Sequence, residues 1–143
     1  MAPQDFSYPD AVIPEDVGKH PASSQAGGGY VWDEVLEYRV WCYPRNGAAD
    51  IADGCDYYYA FVTFLEAKAF AEATTGANDP LALVLQQEYI EELSEGEYRH
   101  IREKRVTEWP VAFLRRPKRT PNTIPDFLAV DAPVNRLAIL RGE

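Results

Sequence analysis

From Leu36 to Tyr43 the chain alternates: Leu36, Tyr38, Val40 and Cys42 share one face of an extended segment, while Glu37, Arg39, Trp41 and Tyr43 share the other. A period of two belongs to a half-buried strand, and Pro44 ends it. A second strand runs from Tyr57 to Val62, YYYAFV, whose aromatic side chains suit a pleated surface covered in part on both faces. At Thr63 the period changes. Thr63 and Glu66 have the T-x-x-E spacing of a capping box, in which hydroxyl and carboxylate satisfy N–H groups of the first helical turn. Ala67, Phe70, Ala71 and Thr74 then recur on one stripe of a helix that continues through Ala73. Gly76 supplies a left-handed residue to stop it. PLALVLQQEYIEE is a third strand, apolar from Leu81 to Leu85 and polar as it leaves the core. The chain turns at Glu95 and Gly96, and YRHIREKRVTEWPVAFL returns as a fourth, more exposed strand whose charges protect an edge.

The order β-β-α-β-β predicts an α+β fold: a small, mostly antiparallel sheet with one packed helix. Residues 30–114 make up this core domain. Residues 1–29 contain Pro3, Pro9, Pro14 and Pro21 and close on SSQAGGG, the composition of an extended arm and flexible linker. Residues 115–143 are broken by Pro117, Pro121, Pro125 and Pro133, which predicts a second extended arm with a short apolar segment or helical turn at NRLAIL. The loop RNGAADIADG between the first two strands is long for a tight hairpin.

An apolar fraction of 46% and an aromatic fraction of 13% in 143 residues suffice for one real core. No apolar run approaches the roughly 20 residues of a spanning helix, so no transmembrane segment is expected. MAPQDFSYPD lacks the basic region and apolar run of a secretory signal. The expectation is a soluble, cytoplasmic protein. Cys42 and Cys55 lie near the ends of two pairing strands, where a disulfide is geometrically conceivable; a reducing compartment favours free thiols. With His20 and His100 they lack zinc-like spacing, and no metal is expected.

A net charge of -9 argues against nucleic acid, which needs positive potential. The charge is segregated, however. Residues 98–119 hold Arg99, Arg102, Lys104, Arg105, Arg115, Arg116, Lys118 and Arg119 against only Glu103 and Glu108, a distribution that marks a contact surface or a basic loop. Catalytic signatures are not found: there is neither a G-x-x-x-x-G-K-[ST] phosphate loop nor a G-x-S-x-G elbow. His100 sits on a charged strand, where a solvated or structural histidine is the ordinary case. Adjacent Glu91 and Glu92 suit solvated charge, and Tyr57, Tyr58 and Tyr59 suit packing. These observations predict a non-catalytic interaction or accessory protein without a cofactor, engaging a protein partner or multi-subunit complex through its arms and charged surface. The candidate contacts are Phe6, Tyr8 and Ile13 in the first arm, the basic Arg115, Arg116, Lys118 and Arg119, and Ile124, Phe127 and Leu128 in the apolar peptide TIPDFLA.

WDEVLEYRVWCYP, DYYYAFVTFLEAKAFAEATTGA, PLALVLQQEYIEE, VTEWPVAFL and TIPDFL with NRLAILRG together resemble a small alphaproteobacterial family labelled "GCN5 family acetyltransferase". The resemblance covers about residues 31–142. It implies the alternative of an enzyme, an N-acyltransferase using acetyl-CoA and an acceptor amine. Enzymes of that superfamily hold the coenzyme's pyrophosphate on a loop of pattern [QR]-x-x-G-x-[GA] that leads into a helix. The nearest stretch is QAGGGY from Gln25, with Tyr30 in the last place of the pattern and a strand following.

The capping box carries the first prediction. Thr63→Ala should cost about 1 kcal/mol through loss of the cap, read as a shift of the urea midpoint at unchanged slope; an unchanged midpoint would remove the cap from the account.

Overall fold

The structure, a computed structural model, describes residues 7–23 and 25–143. Its elements in chain order are strands β1 (Gln25–Ala26), β2 (Glu34–Cys42) and β3 (Tyr57–Phe61), helix α1 (Phe64–Ala73), strands β4 (Leu81–Gln86), β5 (Tyr89–Ser94), β6 (Glu97–Ile101) and β7 (Arg105–Pro110), and helices α2 (Thr123–Leu128) and α3 (Arg136–Leu140). Helix and strand are both present and the ladders are mostly antiparallel, so the α+β class stands. The division of the chain differs from a core with two arms. One compact unit joins the described part of Met1–Ser23 to Val35–Leu83; the other joins Ser24–Glu34 to Val84–Glu143. Each terminal segment is thus built into a unit, for reasons visible in its contacts.

In the first unit the strand order is β4-β2-β3, with β4 contributing its first residues. β2 and β3 are antiparallel, Tyr38 opposite Phe61 and Cys42 opposite Tyr57. Leu36, Tyr38, Val40 and Cys42 are buried as their alternation requires, yet Glu37 and Arg39 on the other face are buried completely as well. The N-terminal segment covers them. Arg39 Nε donates to Glu37 Oε2 at 2.7 Å, its terminal nitrogens donate to the carbonyls of Pro21 (2.6 Å) and Ala22 (3.1 Å), and Gly18 N–H donates to Glu37 Oε1 at 2.8 Å. Two charges taken out of water cost several kcal/mol each unless paired and hydrogen-bonded; the proline-rich segment, poor in donors, supplies the acceptors. Ala11 N–H reaches Val62 O and Val12 N–H reaches Val35 O, both at 2.8 Å, and the Tyr38 hydroxyl donates to Pro9 O.

Thr63 caps α1: Glu66 N–H donates to its Oγ at 3.1 Å. The reciprocal half differs from the expected box, because the Thr63 hydroxyl donates to the Glu66 carboxylate at 3.0 Å. Ala67 is fully buried under the helix, and Phe70 meets the rings of Tyr59 and Phe61 at 5.1 and 5.4 Å. α1 ends at Ala73 with Thr74 already extended (φ -120°, ψ 117°), so the left-handed stop expected at Gly76 is not what ends it. Gly76, at φ +82° and with a Cβ position only 2.3 Å from the Ala48 nitrogen, instead shapes the turn that follows.

In the second unit the order is β1-β7-β4, with β4 contributing its last residues and β1 running parallel to β7. The expected third strand is two strands, β4 and β5, broken at Gln87 and Glu88. The break has a cause: Gln87 N–H donates to Asp33 Oδ2 at 2.7 Å, and the Glu88 carboxylate is taken by Arg119 and His100. The expected fourth strand also divides. β6 returns on β5 as a hairpin through Glu95 and Gly96, and β7 instead pairs with β1. The last segment, expected as an extended arm, carries two helices: α3 on the expected helical turn at NRLAIL, and α2 on TIPDFL. Its Ile124, Phe127 and Leu140 form one buried cluster with Val31 and Ile90. Among the described residues no helix is long and apolar enough to cross a membrane. Cys42 is buried and Cys55 exposed, both as free thiols.

The buried pair of the first unit yields the second prediction. Arg39→Ala should destabilise by about 3–5 kcal/mol by stranding the Glu37 charge, and the double change Glu37→Gln with Arg39→Met should recover much of that loss in urea unfolding. Equal losses in the single and double variants would contradict the account.

Candidate anion-binding site

The glycine triplet after β1 is a bent loop with little freedom. Gly27 and Gly29 have φ of +73° and +92°, and Tyr30 follows at +62°. A bulky residue in the left-handed region costs of order 1–3 kcal/mol and persists only where its surroundings hold it there. They do. Gln86, fully buried, donates through Nε2 to Gly28 O at 2.9 Å and Val31 O at 2.8 Å. Trp109 Nε1 donates to Gly28 O at 3.0 Å, while Val31 N–H and Ile90 N–H both reach Gly29 O, at 2.8 and 3.4 Å. The Tyr30 hydroxyl donates to Glu92 Oε1 at 2.6 Å. A Cβ on Gly29 would lie 2.4 Å from Gln86 Nε2 and 2.7 Å from Arg105 Nη2. Only glycine fits.

The carbonyls of Gly28 and Gly29 are therefore engaged, whereas the N–H groups of Gly28, Gly29 and Tyr30 find no acceptor among the described residues. Arg105 lies against the same loop. Its Nε donates to Gln86 Oε1 at 2.9 Å, its guanidinium stacks 3.8 Å from the Tyr89 ring centre, and its Nη2 is buried with no partner. Arg116 stacks 4.0 Å from the centre of Phe113. Arg141 lies over Tyr30 at 5.7 Å and has a buried Nε that is likewise unpartnered. The three guanidinium groups, the loop, Ile90, Glu91 and Glu92 line a cleft of about 370 Å³, within the range of small-molecule sites.

The electrostatics point the same way. Burial pushes Arg105 below the ordinary arginine value; burial and then the neighbouring Arg141 charge do the same to Arg116. Of the two carboxylates in the cleft wall, Glu91 is paired with Arg99, and Glu92 accepts the Tyr30 phenol. That hydrogen bond first, and burial second, raise Tyr30 to about 12. Buried donors of like charge without acceptors are costly, and a phosphate or carboxylate placed between them would satisfy main-chain and guanidinium N–H groups together.

Of the candidate contact residues named from sequence, Arg116 alone lines this cleft. Phe6 lies outside the described residues. Tyr8 packs edge-on against Phe64 at 4.7 Å, and Ile13 is about half exposed. Arg115 is exposed, and Lys118 is exposed and paired with Glu34 at 3.0 Å. Arg119 is held by Asp33 at 2.8 Å and by Glu88. Ile124 and Phe127 belong to the buried cluster, with Leu128 packed against it, so this peptide is used inside its own unit. His100 holds Glu88, which in turn holds Arg119. Arg105 fell within the basic segment, and the glycine triplet was visible but has the composition of a linker. Among the described residues no group of three or more His, Cys, Asp or Glu side chains could hold a metal ion. No family model, curated protein or solved structure matches the chain.

Tyr30 provides a direct readout of the site. A phenol whose folded pKa lies above its unfolded value near 10 contributes stability that is present below pH 10 and lost as pH rises toward 12. Glu92→Gln should lower the Tyr30 midpoint toward 10 in an ultraviolet phenolate titration; an unmoved midpoint would remove the hydrogen bond as its cause.

Proposed function

We propose that this is a non-catalytic binding protein, a cytoplasmic accessory component whose second unit recognises an anionic group on its partner. One observation carries the reading: among the described residues, buried Arg105 Nη2 has no partner, and the three successive main-chain N–H groups of the loop beside it have no acceptor either. The cleft is rich in donors that bind, and its one phenol is tied to Glu92 and held protonated well above neutral pH. This favours binding over proton transfer.

Acetyl-CoA-dependent transfer is the second reading, because the same glycine triplet is the stretch nearest to a coenzyme A loop. The loop runs through Val31 into β2 and not into a helix, so guanidinium groups stand where a helix N-terminus would face the phosphates. The residues fit a phosphoryl group; for an acyl transfer the cleft offers Glu91 and Glu92 as bases, both already engaged.

The test is a titration with sodium pyrophosphate followed through amide resonances. Saturable shifts are expected at Gly28, Gly29 and Tyr30, and Arg141→Gln should weaken binding by about tenfold or more, the scale of one charged hydrogen bond. Absence of saturable shifts at these residues would overturn the reading. Binding of coenzyme A there, with thiol release from acetyl-CoA in the presence of an amine, would establish the second one instead.

A further inference from the structure

The first unit has an open edge. β3 ends the order β4-β2-β3, and an antiparallel strand with one neighbour directs alternate N–H and C=O groups outward. Among the described residues none of the main-chain groups of Tyr57–Phe61 finds a partner on that side; the nearest main-chain contact from elsewhere is Ala11 N–H on Val62 O. Both faces of the strand are occupied. Tyr57, Tyr59 and Phe61 lie in ring contact with one another or with Phe70, and Tyr58 is held between Trp41, Arg39 and the His20 carbonyl. Among the described residues no main-chain group pairs with the edge itself.

Edge strands are ordinarily protected by lysine, proline, a bulge or a covering element. YYYAF has no charge, no proline and no register shift against β2. Its surroundings in the chain are acidic. Asp50, Asp53 and Asp56 precede it, Glu66 and Glu72 follow on α1, all five are exposed, and Lys68 is the one base between Asp50 and Asp79. Such a field repels a second copy of the same edge and attracts positive charge.

We propose that the outer edge of β3 is a docking site for an extended basic segment of a partner protein, which adds to the sheet as a further strand. Main-chain hydrogen bonds hold the segment, the uncharged aromatic edge leaves the ladder unobstructed, and the flanking carboxylates select lysine- or arginine-bearing strands. The site lies in the first unit and does not depend on the anion cleft of the second.

The experiment uses the full chain and a synthetic peptide of alternating lysine and valine, with hydrogen exchange followed at single amides. The expected result is slowing by about tenfold or more at alternate amides of Tyr57–Phe61. A glutamate–valine peptide, or the lysine peptide N-methylated at alternate residues, should give no such slowing, and Asp56→Lys with Glu72→Lys should weaken the effect. Three results would each overturn the proposal: no protection of these amides, equal protection by the acidic or N-methylated peptide, or protection that grows with protein concentration alone. The last would assign the edge to a second copy.

Discussion

The candidate site depends on one side-chain amide. Gln86 is fully buried, and its three hydrogen bonds tie the carbonyls of Gly28 and Val31 to the Nε of Arg105. An interior amide must be satisfied, and here satisfaction bends the glycine loop and sets the guanidinium beside it in one step. What remains after that bonding is an excess of donors without acceptors among the described residues: the N–H groups of Gly28, Gly29 and Tyr30, Arg105 Nη2 and Arg141 Nε. The left-handed backbone of Tyr30 is stabilised by the same packing and by its bond to Glu92. Strain and unpaired donors concentrated at one place are what a preorganised binding site would contain before its ligand arrives.

The first unit solves a different problem with similar means. A strand that looks half-solvated becomes buried on both faces because a proline-rich segment offers carbonyls to Arg39 and a glycine N–H to Glu37. Burying that pair need not add stability over an apolar packing. It does specify where the N-terminal segment must lie, since no apolar replacement would direct Pro21, Ala22 and Gly18 to those atoms. The C-terminal segment is placed in its own unit by Arg119, whose fork spans Asp33 and Glu88, and by Ile124 and Phe127 in the core.

Local physics was legible in the sequence. The alternation at Leu36–Cys42, the aromatic strand at Tyr57, and the cap at Thr63 require only neighbours, and each stands where expected. What was not legible rests on distant partners. The loop at Gly28 is shaped by Gln86 and Trp109, 58 and 81 residues away, so its composition alone matched a linker. The strand break at Gln87 needs Asp33, 54 residues earlier. Proline density suggested extended arms, but prolines also make good acceptor-rich coverings, and composition does not distinguish the two. Among the site residues, Arg116 and Arg105 were flagged by local charge; Arg141, near the end of the chain, was marked by nothing in its own neighbourhood.

The most direct test of the account is the arginine Nε–H spectrum recorded as inorganic phosphate is added. Arg141 Nε–H, buried and without an acceptor, should shift in a saturable way, while Arg39 Nε–H, already bonded to Glu37, should stay in place. Movement of Arg39 and Arg141 together, or of neither, would contradict the claim that this cleft is built to receive an anion.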